Sequence, residues 1–202
     1  MKTKLLLTAL TCLASTSLFA ASPAVGSAAP DFSVTDSKGK TQSVSQYKGK
    51  TVVLEWFNPE CPFVKKHYGS NNMQKLQDEF TGKGVVWLTI DSSAAGKEGN
   101  LTAEQANAKM TEWKMKSSAF LLDPDGKAGQ TYGAKNTPHM FIINPDGKLI
   151  YAGAIDSKAS PNPADIPTST NYVKVALDES MSGKPVSNPA TKPYGCSIKY
   201  NQ

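Results

Sequence analysis

Apolar residues fall along this chain in short runs separated by polar stretches of helical composition. Thr51 to Phe57 and Gly84 to Ile90 are β-branched and aromatic runs of strand length, nearly uninterrupted, as strands buried on both faces require. Ala119 to Leu122 predicts a third strand. Met140-Phe141-Ile142-Ile143 and Leu149-Ile150-Tyr151-Ala152 flank Asn144-Pro145-Asp146-Gly147, with Pro and Gly where a tight turn wants them, and predict a hairpin. A smaller N-terminal hairpin is predicted within Phe32 to Val44, turning at Asp36-Ser37-Lys38-Gly39. Between the strands, helices are predicted over Pro62 to Phe80, broken near Gly69-Ser70-Asn71-Asn72, and from a start at Thr102 to about Met115. Shorter ones follow at Lys127 to Tyr132 and Tyr172 to Met181, the last closed by Gly183 and Pro185. Asp156 to Thr170 carries Pro161, Pro163 and Pro167 and reads as a long exposed loop. There is no internal repeat, and strands alternating with helices predict one α/β domain.

The N-terminus has a different pattern. Met1-Lys2-Thr3-Lys4 is basic, Leu5 to Ala14 is apolar, and Leu18-Phe19-Ala20 ends on a small residue, which reads as a secretory leader over residues 1–20. Residues 21–30, rich in Ala, Ser and Pro, read as a flexible lead-in, 31–183 as the domain, and 184–202 as a Pro-rich tail. The apolar stretch is too short for a confident transmembrane helix, so the expectation is a protein exported to a periplasmic or extracellular location with no stable membrane anchor. With 202 residues, 39% apolar and 19% charged, the chain has enough apolar side chains for a core. Its 22 cationic residues are all Lys, interleaved with 17 acids to give a formal charge of +5. Without Arg forks or a basic stripe, the surface is not that of a nucleic-acid binder.

Export changes the cysteine count. Of three Cys, Cys12 leaves with the leader, and Cys61 and Cys196 would reach an oxidising compartment. Cys61 stands between the first long strand and a helix, and Pro62 suits the first helical position, which makes Cys61 the N-cap. Unpaired amides and the positive end of the helix then face sulfur, and Lys65, one turn along, is expected to add a cation. A nucleophilic thiol of depressed pKa is predicted, where a mid-strand Cys would be an inert small hydrophobe. Cys196 lies in Lys192-Pro193-Tyr194-Gly195-Cys196, a pliable segment able to reach a site elsewhere. A disulfide between the two thiols is expected either as a redox couple or as a structural staple.

The strand-to-helix Cys61, the Thr137-Pro138 step before the last hairpin and the order of elements between them resemble the thioredoxin-like redoxins, the group that includes the alkyl hydroperoxide reductase and thiol-specific antioxidant proteins. The resemblance covers roughly Ala28 to Met181. It implies an α/β thioredoxin-like fold: a central mixed β-sheet flanked by helices, with an N-terminal β-hairpin. It also implies a cis Thr137-Pro138 bond whose loop, with His139, lies near Cys61, and Phe63 in the exposed first turn beside the thiol. Two departures stand out. Val64 occupies the place of the second Cys of a CxxC site, which excludes local exchange. Leu54 and Asn58 stand where peroxiredoxins carry Pro and Thr or Ser, and there is no Arg to hold a peroxide, so a peroxidase would have to work through Asn58 with Lys65 or Lys66.

Two function classes follow. The first is an exported thiol oxidoreductase in which Cys61 attacks a peroxide or a disulfide, Cys196 resolves the product, and an unknown thiol reductant closes the cycle without a cofactor. The second is a binding module without turnover, holding a soft metal such as copper through Cys61 and His139 or presenting the Pro138 face to a client protein. A third possibility is a protein retaining only the fold. His67, six residues beyond Cys61 and on another helical face, reads as a surface or packing residue.

Overall fold

A computed structural model describes residues 22–201. The leader expected over residues 1–20 lies outside the described residues. No described helix is long and apolar enough to cross a membrane.

The described residues form nine strands and five α-helices, in the predicted order except for the added β6 and β9: β1 (Val34–Asp36), β2 (Thr41–Gln42), β3 (Val52–Trp56), α1 (Pro62–Gly69), α2 (Asn72–Gly82), β4 (Val86–Asp91), α3 (Ala103–Glu112), β5 (Ala119–Leu122), α4 (Lys127–Tyr132), β6 (Asn136–Thr137), β7 (His139–Ile143), β8 (Leu149–Gly153), α5 (Tyr172–Met181) and β9 (Cys196–Ser197). Seven strands form one sheet in the order β2-β1-β5-β4-β3-β7-β8. The centre, β5-β4-β3, is parallel, while β1 and β7 join antiparallel on its two sides. It is the mixed sheet with an N-terminal hairpin that the resemblance implied.

The two-faced burial predicted for β3 and β4 holds at every residue. Val53, Phe57, Trp87, Met140, Ile142 and Tyr151 pack beneath side chains of α1, α2, α3 and α5. Val52, Leu54, Trp56, Phe141 and Ile143 face the other way, against Ala128 and Tyr132 of α4 and the N-terminal Phe32 and Val34. The break between α1 and α2 is where the Gly-Ser-Asn-Asn run put it, at Asn71, whose φ of 61° is a left-handed conformation that Asn tolerates. Thr102 closes a capping box with Gln105 at the start of α3, which stops at Glu112 rather than continuing to Met115.

Both ends of the domain are held more firmly than their composition suggests. In the segment expected as a flexible lead-in, Gly26 N–H donates to Leu149 O at 2.7 Å and Ala29 N–H to Gly147 O at 2.8 Å. In the tail expected as pliable, Thr191 N–H donates to Ala152 O at 3.1 Å, Ile198 N–H to Lys135 O at 3.0 Å, and Lys199 O accepts from Ala94 N–H at 2.8 Å. The tail therefore crosses the body as a fastened strap, and its β9 pairs antiparallel with β6 so that Cys196 lies opposite Thr137.

Candidate functional site

The site sits where β3 ends and α1 begins, at the carboxyl edge of the parallel strands, where open α/β sheets place their clefts. Asn58 shapes the connection: its side-chain oxygen accepts from Glu60 N–H at 2.8 Å and its carbonyl accepts from Cys61 N–H at 3.2 Å. Cys61 is the N-cap of α1 in extended conformation, with Pro62 at the first helical position, as the sequence predicted. The Thr137-Pro138 bond is cis, and the Thr137 carbonyl lies 3.0 Å from Cys61 Sγ.

Opposite Thr137, the tail brings in the second sulfur. Cys196 pairs opposite Thr137, whose carbonyl accepts from Cys61 Sγ, so the two cysteines meet across this loop, and no disulfide joins them. Burial by itself resists ionisation of Cys61. It is outweighed by donors that converge on the sulfur, from the Cys196 thiol, the Thr137 hydroxyl and the amides of Cys196 and Val64, and the Cys61 pKa falls below the ordinary thiol value. The same arrangement acts on Cys196 with opposite sign: burial, then the hydrogen bond and charge of Cys61, push it up to about 12. The two sulfurs are thus biased in opposite directions, Cys61 toward ionisation and Cys196 toward keeping its proton. Cys61 is 0% exposed, whereas Cys196 is half-buried and open to solvent on one side.

A buried polar cluster fixes the tail beside this pair. Lys66 Nζ, whose side chain is wholly buried, lies 3.0 Å from Asp156 Oδ2 and 3.1 Å from the Lys158 carbonyl. Asp156 also accepts from the Tyr194 hydroxyl, and Tyr194 meets His67 Nε2 at 3.3 Å and stacks on Phe63 with ring centroids 5.6 Å apart. Burial opposes the Asp156 charge, but Tyr194 and Lys66 more than compensate and hold its carboxyl below the usual range. Breaking such a pair leaves one buried charge without a partner. Asp156→Asn should therefore lower the unfolding free energy of the reduced protein by about 3 kcal/mol in urea titration, and Lys66→Met/Asp156→Leu should recover most of it. A double variant as unstable as the single one would contradict this reading.

Sequence reasoning missed that cluster, and it also missed Glu55. This carboxyl, on β3 beneath the site's face of the sheet, accepts from Trp87 Nε1 at 2.7 Å, Tyr68 OH at 2.7 Å, Gln77 Nε2 at 3.0 Å and Thr89 Oγ1 at 3.2 Å. Complete burial raises its pKa in spite of those four donors. The signal was available, since an acid inside Val-Val-Leu-Glu-Trp has no solvent-facing side to turn to.

Three expectations need correction. Lys65 is not the cation at the sulfur: it is half exposed and pairs with Glu60 at 3.0 Å. His139 does not approach Cys61. It stacks on Phe141 at 4.4 Å on the opposite face of the sheet, and its Nδ1 accepts from Lys135 N–H at 3.3 Å, so it forms no copper-binding pair with Cys61. His67 is a packing residue as read, but a buried one rather than a surface one. Asn58 shapes the loop with its polar atoms, and Phe63, in the first turn of α1, packs its ring against Tyr194 of the tail.

Burial of His139 lowers its pKa to about 3, with Lys135 adding to the shift. A folded-state value below the unfolded value of about 6.5 means stability present above pH 6.5 that is lost as pH falls. Compared with wild type, His139→Phe should gain about 3 kcal/mol of relative stability between pH 7 and pH 4. A constant difference between the two unfolding curves would refute the assignment.

Comparison with known proteins agrees with this geometry. Thiol-disulfide oxidoreductase ResA of Bacillus thuringiensis subsp. konkukian (strain 97-27) is 29% identical over 126 residues, 62% of this chain and 67% of that protein. ResA of Bacillus subtilis (strain 168) is 26% identical over 125 residues, 62% of this chain and 64% of that protein. Among solved structures, an uncharacterised conserved protein from Geobacillus kaustophilus superposes with a TM-score of 0.74 at 26% identity, covering 92% of this chain and 94% of that one. The thioredoxin domain of a thiol-disulfide oxidoreductase from Bacteroides vulgatus shares the fold with a TM-score of 0.52 at 22% identity, covering 73% of this chain and 98% of that one. With residues 25–152 matching its family description, and with a strand-to-helix cysteine beside a cis-proline loop, the chain belongs to the AhpC/TSA family.

Proposed function

We propose that this protein is an exported thiol-disulfide oxidoreductase whose redox couple is Cys61 and Cys196. The observation that carries the reading is the register that sets Cys196 opposite Thr137, whose carbonyl lies 3.0 Å from Cys61 Sγ, with one thiol inclined to ionise and the other to hold its proton. The ResA relatives support it by what they are named for, and the basic and apolar leader supports export. In the forward direction the two thiols give two electrons and two protons to a client disulfide, which leaves as two thiols, and an S–S bond forms between Cys61 and Cys196. The tail cysteine thereby supplies what Val64 cannot.

Disulfide exchange is favoured over peroxide reduction because Lys65 is paired with Glu60 and Lys66 with Asp156, so neither is directed at the sulfur to polarise an O–O bond. The test is turnover of a model protein disulfide with a dithiol donor. Wild type should reduce it catalytically, while Cys61→Ser and Cys196→Ser should each fall by at least tenfold. Equal rates for wild type and Cys196→Ser would remove Cys196 from the couple.

A further inference from the structure

Given the proposed Cys61–Cys196 couple, the sulfur that meets an outside thiol is set by access. Cys61 is packed against the cis-proline loop on which β9 pairs, and none of its surface reaches solvent. Cys196 is only partly buried. We infer that an external thiolate attacks Cys196 Sγ of the oxidised protein, that the mixed disulfide is carried by the tail cysteine, and that Cys61 serves as the buried leaving group. Single-site reasoning from the helix N-cap would assign these roles the other way round.

The step balances as follows. A thiolate donor, a low-molecular-weight or protein thiol, forms a bond to Cys196 Sγ. The Cys61–Cys196 bond breaks, and its electron pair leaves on Cys61 Sγ as a thiolate facing the Val64 amide at the start of α1. A second donor thiolate then attacks the donor sulfur of the mixed disulfide and releases Cys196, which takes a proton from water. The donor leaves as a disulfide, oxidised by two electrons, and the protein is reduced by two. Exchange is faster when the departing sulfur has the lower pKa, so the direction favoured by access is also the one favoured by the leaving group. Tyr194 is a positioning residue in this scheme, because its hydroxyl on Asp156 and its ring on Phe63 keep the next residues of the tail over the site.

The oxidised full-length chain is exposed to limiting glutathione, quenched in acid and mapped by mass spectrometry. The glutathione adduct should reside on Cys196 in at least tenfold excess over Cys61, and a predominant adduct on Cys61 would overturn the inference. The single-cysteine variants rank the sulfurs independently: with glutathione disulfide, Cys196 in Cys61→Ser should form its adduct at least tenfold faster than Cys61 in Cys196→Ser. The reverse ranking would also overturn it. If no Cys61–Cys196 disulfide forms under any oxidant, the couple itself fails, and the variant comparison still decides which sulfur an outside partner reaches.

Discussion

Gly195→Ala should uncouple the two cysteines. A Cβ at residue 195 would lie 2.0 Å from the Thr137 carbonyl oxygen and 2.9 Å from its carbon, both backbone atoms of the cis-proline loop that no side-chain rotation can move. The residue also has a φ of 119°, a conformation open to glycine and closed to alanine. The variant must therefore lift β9 from β6, and the sulfur opposite Thr137 goes with it. Holding two thiols in contact gives each a high effective concentration at the other, and loosening one segment forfeits it. Disulfide formation in reduced Gly195→Ala should be slowed by ~100-fold, and Cys61 should become accessible to alkylation. Gly183→Ala is the control: its φ of 72° imposes similar backbone strain, but nothing lies within 4 Å of the added carbon, so the rate should stay near wild type. Equal slowing in both variants would trace the effect to strain rather than to the Thr137 contact.

The second large effect concerns Cys196. With a pKa pushed up to about 12, its thiolate at pH 8 is about one part in ten thousand. Burial is the leading cause, followed by the hydrogen bond and charge of Cys61. Cys61→Ser removes the charge and leaves the burial, so the pKa should drop part of the way toward the ordinary value near 8.5. Nucleophilicity falls with pKa, with a Brønsted slope of about 0.4 to 0.5, and offsets part of the gain. The net expectation is alkylation of Cys196 at pH 8 accelerated more than tenfold over the reduced wild type. An unchanged rate would mean that Cys61 does not raise the pKa of Cys196.

Much of this architecture was legible in the order of residues. The central strands announced themselves by nearly continuous apolar runs, because a strand covered on both faces admits a polar residue only where buried partners satisfy it, as they do for Glu55. Cys61 and Pro62 identified a helix start for a purely local reason: a capping residue and a residue without an amide hydrogen belong side by side there. Thr137-Pro138 was found by resemblance, since a cis bond leaves no mark of its own in a sequence.

What was not legible is what depends on distant contact. Lys66 and Asp156 are ninety residues apart, and nothing local says that a lysine in Val-Lys-Lys-His turns inward while its neighbour Lys65 turns out to Glu60. Proline and glycine made the tail look loose. Glycines of the body receive it closely, with Thr191 over Gly153 and Tyr200 over Gly126 and Gly129. His139 could have been placed by alternation alone, because it shares a strand face with Phe141 and Ile143, which turn away from Cys61. The tail cysteine was a candidate on chemical grounds. Its register opposite Thr137 is a fact of folding.

The most direct measurement is peptide mapping of the mildly oxidised protein without reduction, after free thiols have been trapped. A single crosslinked product joining the peptides of Cys61 and Cys196, formed within one chain and reversed by dithiol, is the predicted result. Two trapped thiols after oxidation, or crosslinks only between chains, would contradict the account.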